Sequence, residues 1–93
     1  MIRSFKDAEA DNIWEGKRSK KLPTQIQQIA RRKLRIVNNA QNINDLRIPP
    51  ANRLENLKND LKGLYSVRIY EKWRIIFKWQ TSHAYDVQII DYH

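Results

Sequence analysis

The run Tyr65-Ser66-Val67-Arg68-Ile69-Tyr70-Glu71-Lys72-Trp73-Arg74-Ile75-Ile76-Phe77-Lys78-Trp79 carries a two-residue period on both sides of a short polar break. Side chains along a strand point alternately to opposite faces, so Tyr65–Tyr70 and Trp73–Trp79 read as strands joined tightly through Glu71-Lys72, a hairpin. Trp73, Ile75, Phe77 and Trp79 share one face, as do Tyr65, Val67 and Ile69, and this is the expected core face. The other face carries Ser66, Arg68 and Tyr70 on one strand and Arg74, Ile76 and Lys78 on the next. Arg68 and Arg74 are therefore expected side by side, away from the core.

Outward from the hairpin, residues 24–39 hold the clearest helical period. Ile26, Ile29, Ala30, Leu34 and Val37 form an apolar stripe, with Gln27, Gln28, Arg31, Arg32 and Arg35 opposite it. Residues 7–15 place Ala8, Ala10, Ile13 and Trp14 on one helical face, and Gly16 sits where a C-cap is expected. Pro23 and Thr24 mark the start of the second helix. Residues 2–5 alternate as a short strand. Residues 38–53 read as loop, with a turn at Ile43–Leu46 and with Pro49-Pro50 excluding a central strand or helix. Leu54–Leu57 is a short strand, Lys62-Gly63 a turn, and roughly 84–92 the last strand. The expected fold is α+β: residues 1–93 as one domain, with two N-terminal helices packed on a small, mainly antiparallel sheet.

The chain has 93 residues, no Cys and a formal net charge of +8. The lack of Cys excludes a disulfide framework and a thiolate nucleophile or ligand set, and His83 and His93 alone offer no metal site. No cofactor is expected. No apolar run matches a signal peptide or a membrane span, so a cytoplasmic protein without a membrane partner is expected. The basic excess favours polyanions or an acidic protein partner.

Two features carry candidate chemistry. A sheet face bearing Arg68, Arg74 and Lys78 suits a phosphate backbone, because guanidinium groups bond phosphate oxygens in a fork and aromatic rings stack unpaired bases. An ordinary solvated sheet face accounts for the same pattern. The last strand ends Asp91-Tyr92-His93, a carboxylate, a phenol and an imidazole able to move or orient protons near neutral pH; a frayed tail is the plainer alternative. RNA cleavage without metal needs a base for the 2′-hydroxyl, cations against the charge on the phosphorane and an acid for the leaving oxygen. His93 or Glu55 suits proton transfer, Arg74 and Arg68 the phosphate, and Tyr92 orientation or stacking.

The run Pro49-Pro50-Ala51-Asn52-Arg53-Leu54-Glu55-Asn56-Leu57-Lys58, with Tyr65-Ser66-Val67-Arg68-Ile69, Trp73-Arg74-Ile75 and the terminal Asp91-Tyr92-His93, resembles HigB-type toxins of the RelE/ParE superfamily of type II toxin–antitoxin systems. The resemblance implies a sheet packed on two helices and a ribosome-dependent endoribonuclease that cuts translated messenger RNA, inhibits translation and arrests growth. It also implies neutralisation by a HigA-type helix-turn-helix antitoxin, through which alone the complex would bind promoter DNA. Arg68, Arg74, Asp91, Tyr92 and His93 match family positions tied to substrate binding or catalysis. Lys58 matches the basic residue of a Leu-x-x-Leu-Lys segment, and Arg53 joins the RNA-binding candidates beside it. Glu55 departs from the pattern, standing where some members carry a functional His, which shifts proton transfer toward His93. The alternatives are a ParE-like binder that inhibits DNA gyrase without catalysis and a non-toxic RNA-binding module.

Overall fold

The computed structural model describes residues 1–91. Helix α1 spans Ala8–Trp14 and α2 spans Thr24–Asn39. Strands β1 (Glu55–Asn56), β2 (Leu64–Tyr70), β3 (Trp73–Gln80) and β4 (His83–Asp91) form one antiparallel sheet in the order β1-β2-β3-β4. The α+β expectation is met, two helices lying against one face of the sheet.

The helices follow from their sequences. The Asp7 side chain caps α1, accepting from the Glu9 N–H at 2.7 Å. Gly16, with φ +85°, lets the chain turn out of the helix while its N–H bonds the Ile13 carbonyl. On α2, Ile26, Ala30, Leu34 and Val37 are fully buried against Val67, Ile75 and Phe77 in one contiguous core. Each large aliphatic side chain so buried contributes about 1.5–3 kcal/mol. Two residues assigned to the polar side of α2 or left without a role prove buried. Gln27 faces inward, its amide bonding the Ser19 and Leu22 carbonyls at 2.9 and 2.8 Å and so closing the loop of residues 17–22 onto α2. Lys33, in the middle of α2, is also buried.

Residues 43–53 tighten into two 3-10 turns, Ile43–Arg47 and Pro50–Asn52, around a cis Ile48–Pro49 bond. Asn42 and Asp45 form a reciprocal capping box on the first turn. The strand expected over Leu54–Leu57 shortens to Glu55–Asn56, paired with Tyr65 and Ser66.

The N-terminal segment does not form a full strand. It bridges the free side of β4 in parallel at Ile2–Ala84 and Phe5–Val87. A bulge in β4, with Asp86 at φ +54°, interrupts the ladder. There the Asp86 N–H turns to the Ser4 hydroxyl at 2.8 Å. The Ile89 N–H reaches the Asp7 carboxylate at 3.1 Å, tying β4 to the cap of α1. β4 is thus flanked on both sides and positioned as far as the described residues extend. No helix among them is long and apolar enough to cross a membrane.

Candidate active site

The β2–β3 register puts Arg68 opposite Arg74, Ser66 opposite Ile76 and Val67 opposite Ile75. The expected faces hold over this stretch, Val67, Ile75 and Phe77 pointing into the helix-covered core. They fail at the end of β2, where a register shift between Arg68 and Tyr70 places Tyr70 opposite Trp73. Strict alternation had set Tyr70 beside Arg68; the inserted residue removes it from that row.

The face opposite the helices is not an ordinary solvated surface. Ser66 and Ile76 are fully buried there, and Arg74 is only 8% exposed. A cation buried to this extent needs partners for its N–H groups. Arg74 Nε donates to Ser66 Oγ at 2.7 Å, and Nη2 donates to the Arg53 carbonyl at 2.5 Å. Glu55 Oε1 lies 3.1 Å from the same Nη2. Arg53 is held in the left-handed region, φ 45° and ψ 57°, directly after the Pro50–Asn52 turn. That conformation turns its carbonyl onto the guanidinium while its side chain stays exposed. Glu55, by contrast, has a side chain 53% exposed. One end of the ion pair is locked in the sheet, and the other stands at the solvent boundary.

Arg68 extends the charge along the rung. It is half-buried, and its Nε donates to the Glu71 carbonyl at 3.2 Å. Lys58 is exposed just beyond β1, where Asn56, Leu57, Lys58 and Lys62 line a shallow groove of about 330 Å³. Lys78 lies four residues along β3 from Arg74, about 13 Å at strand spacing, and pairs with Asp86 at 3.4 Å. Asp91 is opposite Trp73 in the β3–β4 register, whereas Arg74 is opposite Ile90. Paired residues share a face, so Asp91 is on Trp73's side of the sheet, opposite Arg74. Tyr92 and His93 lie outside the described residues. The structure therefore brings together Arg74, Glu55, Arg68 and the Arg53 backbone, with Lys58 on the adjoining edge; it does not bring Lys78 or Asp91 to that cluster.

Three residues of this neighbourhood carried no role in the sequence reading. Ser66 had been placed on the correct face without a partner. Asn52 is fully buried, its amide donating to the Leu46 and Ile48 carbonyls at 3.2 and 3.3 Å. Lys33 Nζ donates to Asn52 Oδ1. Its spacing signalled this contact: Ile26, Ala30, Lys33 and Val37 fall on one helical face, which puts a lysine in the apolar stripe. Burial lowers the Lys33 pKa from its usual value, with smaller contributions from Arg32 and Arg68.

A small antiparallel sheet, backed by two N-terminal helices and bearing paired arginines on its other face, is consistent with the RelE-like fold that the sequence resemblance implies. A family model for the RelE-like toxin HigB of type II toxin–antitoxin systems matches residues 3–93. The chain belongs to this HigB-like toxin family. It is 42% identical over 85 residues to Toxin HigB-1 of Vibrio cholerae, covering 90% of each chain. It is 29% identical over 93 residues to Endoribonuclease HigB of Proteus vulgaris, covering both chains completely. An uncharacterized protein of Haemophilus influenzae is 36% identical over 69 residues, 74% of this chain and 68% of that one.

Proposed function

We propose that this protein is a ribosome-dependent endoribonuclease of the cytoplasm, acting as one domain that cuts messenger RNA during translation. A HigA-type antitoxin neutralises it, and the pair reaches promoter DNA through that antitoxin. The observation that carries the reading is Arg74, a cation fixed by the Ser66 hydroxyl, the Arg53 carbonyl and the half-exposed Glu55 carboxylate, with Arg68 on the same rung. The relative named Endoribonuclease HigB matches over the full length of both chains, which supports the same chemistry here.

In this reaction a base removes the proton of a 2′-hydroxyl, and the resulting oxygen attacks the adjacent phosphorus. The bond to the 5′-oxygen then breaks, and an acid protonates that oxygen. The phosphorane carries more negative charge than the substrate, so cations fixed beforehand stabilise it selectively. Arg74 and Arg68 fill that role. Glu55 and His93 are the proton-transfer groups, Tyr92 orients or stacks the substrate, and Asp91 supports the strand end from the other face. Arg53, Lys58 and Lys78 hold the phosphate backbone on either side.

The test is translation of a defined message in vitro with the RNA ends mapped afterwards. Cuts are expected in the presence of ribosomes and not in naked RNA. Arg74→Ala should slow cleavage by about 10²–10³-fold, the usual effect of removing one oxyanion stabiliser, and His93→Ala should slow it also. Absent cuts, or cuts unchanged in both variants, overturn the proposal. Inhibited supercoiling by gyrase with intact messages would favour a non-catalytic binder.

A further inference from the structure

We infer that Lys33 and Asn52 are positioning residues for the active site, acting through the backbone that presents Arg53 and Glu55 to Arg74; this rests on the catalytic reading above. Arg74 takes two of its partners from one short segment, the carbonyl of Arg53 and the carboxylate of Glu55. Nothing in regular secondary structure fixes that segment before β1, and Arg53 occupies a conformation uncommon for a residue with a side chain. The neighbouring Asn52 supplies the missing constraint. Its amide nitrogen bonds the carbonyls of Leu46 and Ile48, its backbone N–H bonds the Pro49 carbonyl at 2.9 Å, and the Arg53 N–H bonds the Pro50 carbonyl at 3.0 Å.

Asn52 Oδ1 then accepts from Lys33, which projects from the middle of α2. An ammonium group in this position is costly for folding alone, because a well-packed apolar side chain avoids the desolvation. The bond does, however, fasten the segment to α2, whose Ile26, Ala30, Leu34 and Val37 are fully buried in the core. A constellation of this kind needs supporting residues that hold it to a fraction of an ångström. The chain Lys33–Asn52–Arg53 carbonyl–Arg74 runs from the helix layer to the active face without a gap.

The experiment compares Lys33→Met, Asn52→Ala and, as a stability control in α1, Ile13→Val. Lys33→Met keeps the length of the side chain and removes the desolvated charge but leaves Asn52 Oδ1 without that donor, so its Tm should fall by only a few degrees. Single-turnover cleavage on saturating programmed ribosomes should nonetheless fall about tenfold to a hundredfold, as expected for a misplaced catalytic group. The ribosome concentration giving half-maximal rate should not change. The Arg74 Nε–H and Nη–H resonances should shift and average in both positioning variants and stay as in the wild type in Ile13→Val. A folded Lys33→Met protein with unchanged resonances, or with altered resonances and an unaltered rate, overturns the inference. If Asn52→Ala does not fold, Lys33→Met alone decides. If the wild-type protein cuts no RNA, the functional reading fails, and the Arg74 resonances still report whether Lys33 positions the guanidinium.

Discussion

At the scale of single residues, the Lys78–Asp86 and Arg74–Glu55 ion pairs differ in kind. Lys78 and Asp86 are 3.4 Å apart with both side chains about half exposed. Such a pair contributes at most about 1 kcal/mol and less in salt. Arg74 is buried, so removing a buried partner disturbs a charged group in a poorly solvated place. Ser66 is the clearest instance, a fully buried hydroxyl 2.7 Å from Arg74 Nε. Ser66→Ala should destabilise the protein by about 1–3 kcal/mol and slow RNA cleavage, with Ser66→Thr retaining more of both if the methyl group is accommodated. Urea unfolding of the two variants checks the first part and mapped message ends the second. A Ser66→Ala protein as stable and active as the wild type would mean that water replaces the hydroxyl at Arg74.

At the scale of elements, the β3–β4 turn shows where a sequence and its conformation disagree. Gln80 pairs with His83, leaving Thr81 and Ser82 as a two-residue loop with φ values of 50° and 65°. Positive φ at both positions suits Asn-Gly, and a β-branched threonine is strained there. Replacing Thr81-Ser82 by Asn-Gly should stabilise the protein by about 1 kcal/mol, read as a higher urea midpoint with no change in cleavage. The helices and the β2–β3 hairpin were legible in the sequence because each turns an apolar row toward the core and so writes a period of 3.6 or 2 into it. The Arg68–Arg74 rung was legible for the same reason. The partners of Arg74 were not. The Arg53 carbonyl belongs to the backbone, and its direction depends on a left-handed residue after a Pro-rich turn, which leaves no side-chain signature. Asp91 was grouped with the arginine-bearing face as part of the site, whereas pairing with Trp73 assigns it to the face opposite Arg74.

At the scale of the whole molecule, the net charge of +8 is spread over both sides of the sheet. Arg74 and Arg68 occupy one side, while Arg31, Arg32 and Arg35 line a groove of about 360 Å³ on the outer face of α2. Positive charge also gathers where the chain closes on itself, as the N-terminal segment docks beside β4. The N-terminal ammonium donates to the Ser82 carbonyl at 3.3 Å, and Arg3 Nη2 lies 3.5 Å from His83 Nε2. Burial lowers the His83 pKa below its usual value of 6.5, and Arg3 and the ammonium lower it further, only partly offset by a Met1 backbone contact. Because the folded pKa is the lower one, the unfolded chain binds the proton first as pH falls. Stability from this group is therefore complete above pH 6.5 and declines below it, until the folded pKa is passed. Carboxylates titrate in the lower part of this range, so the informative quantity is a difference between proteins. Urea midpoints measured from about pH 7.5 to about pH 4.5 should fall more steeply in the wild type than in His83→Gln. Arg3→Gln should lie between them, because it removes one of the nearby charges and leaves the burial. Parallel curves for the wild type and His83→Gln would show that the docked N-terminal segment places no penalty on His83 protonation.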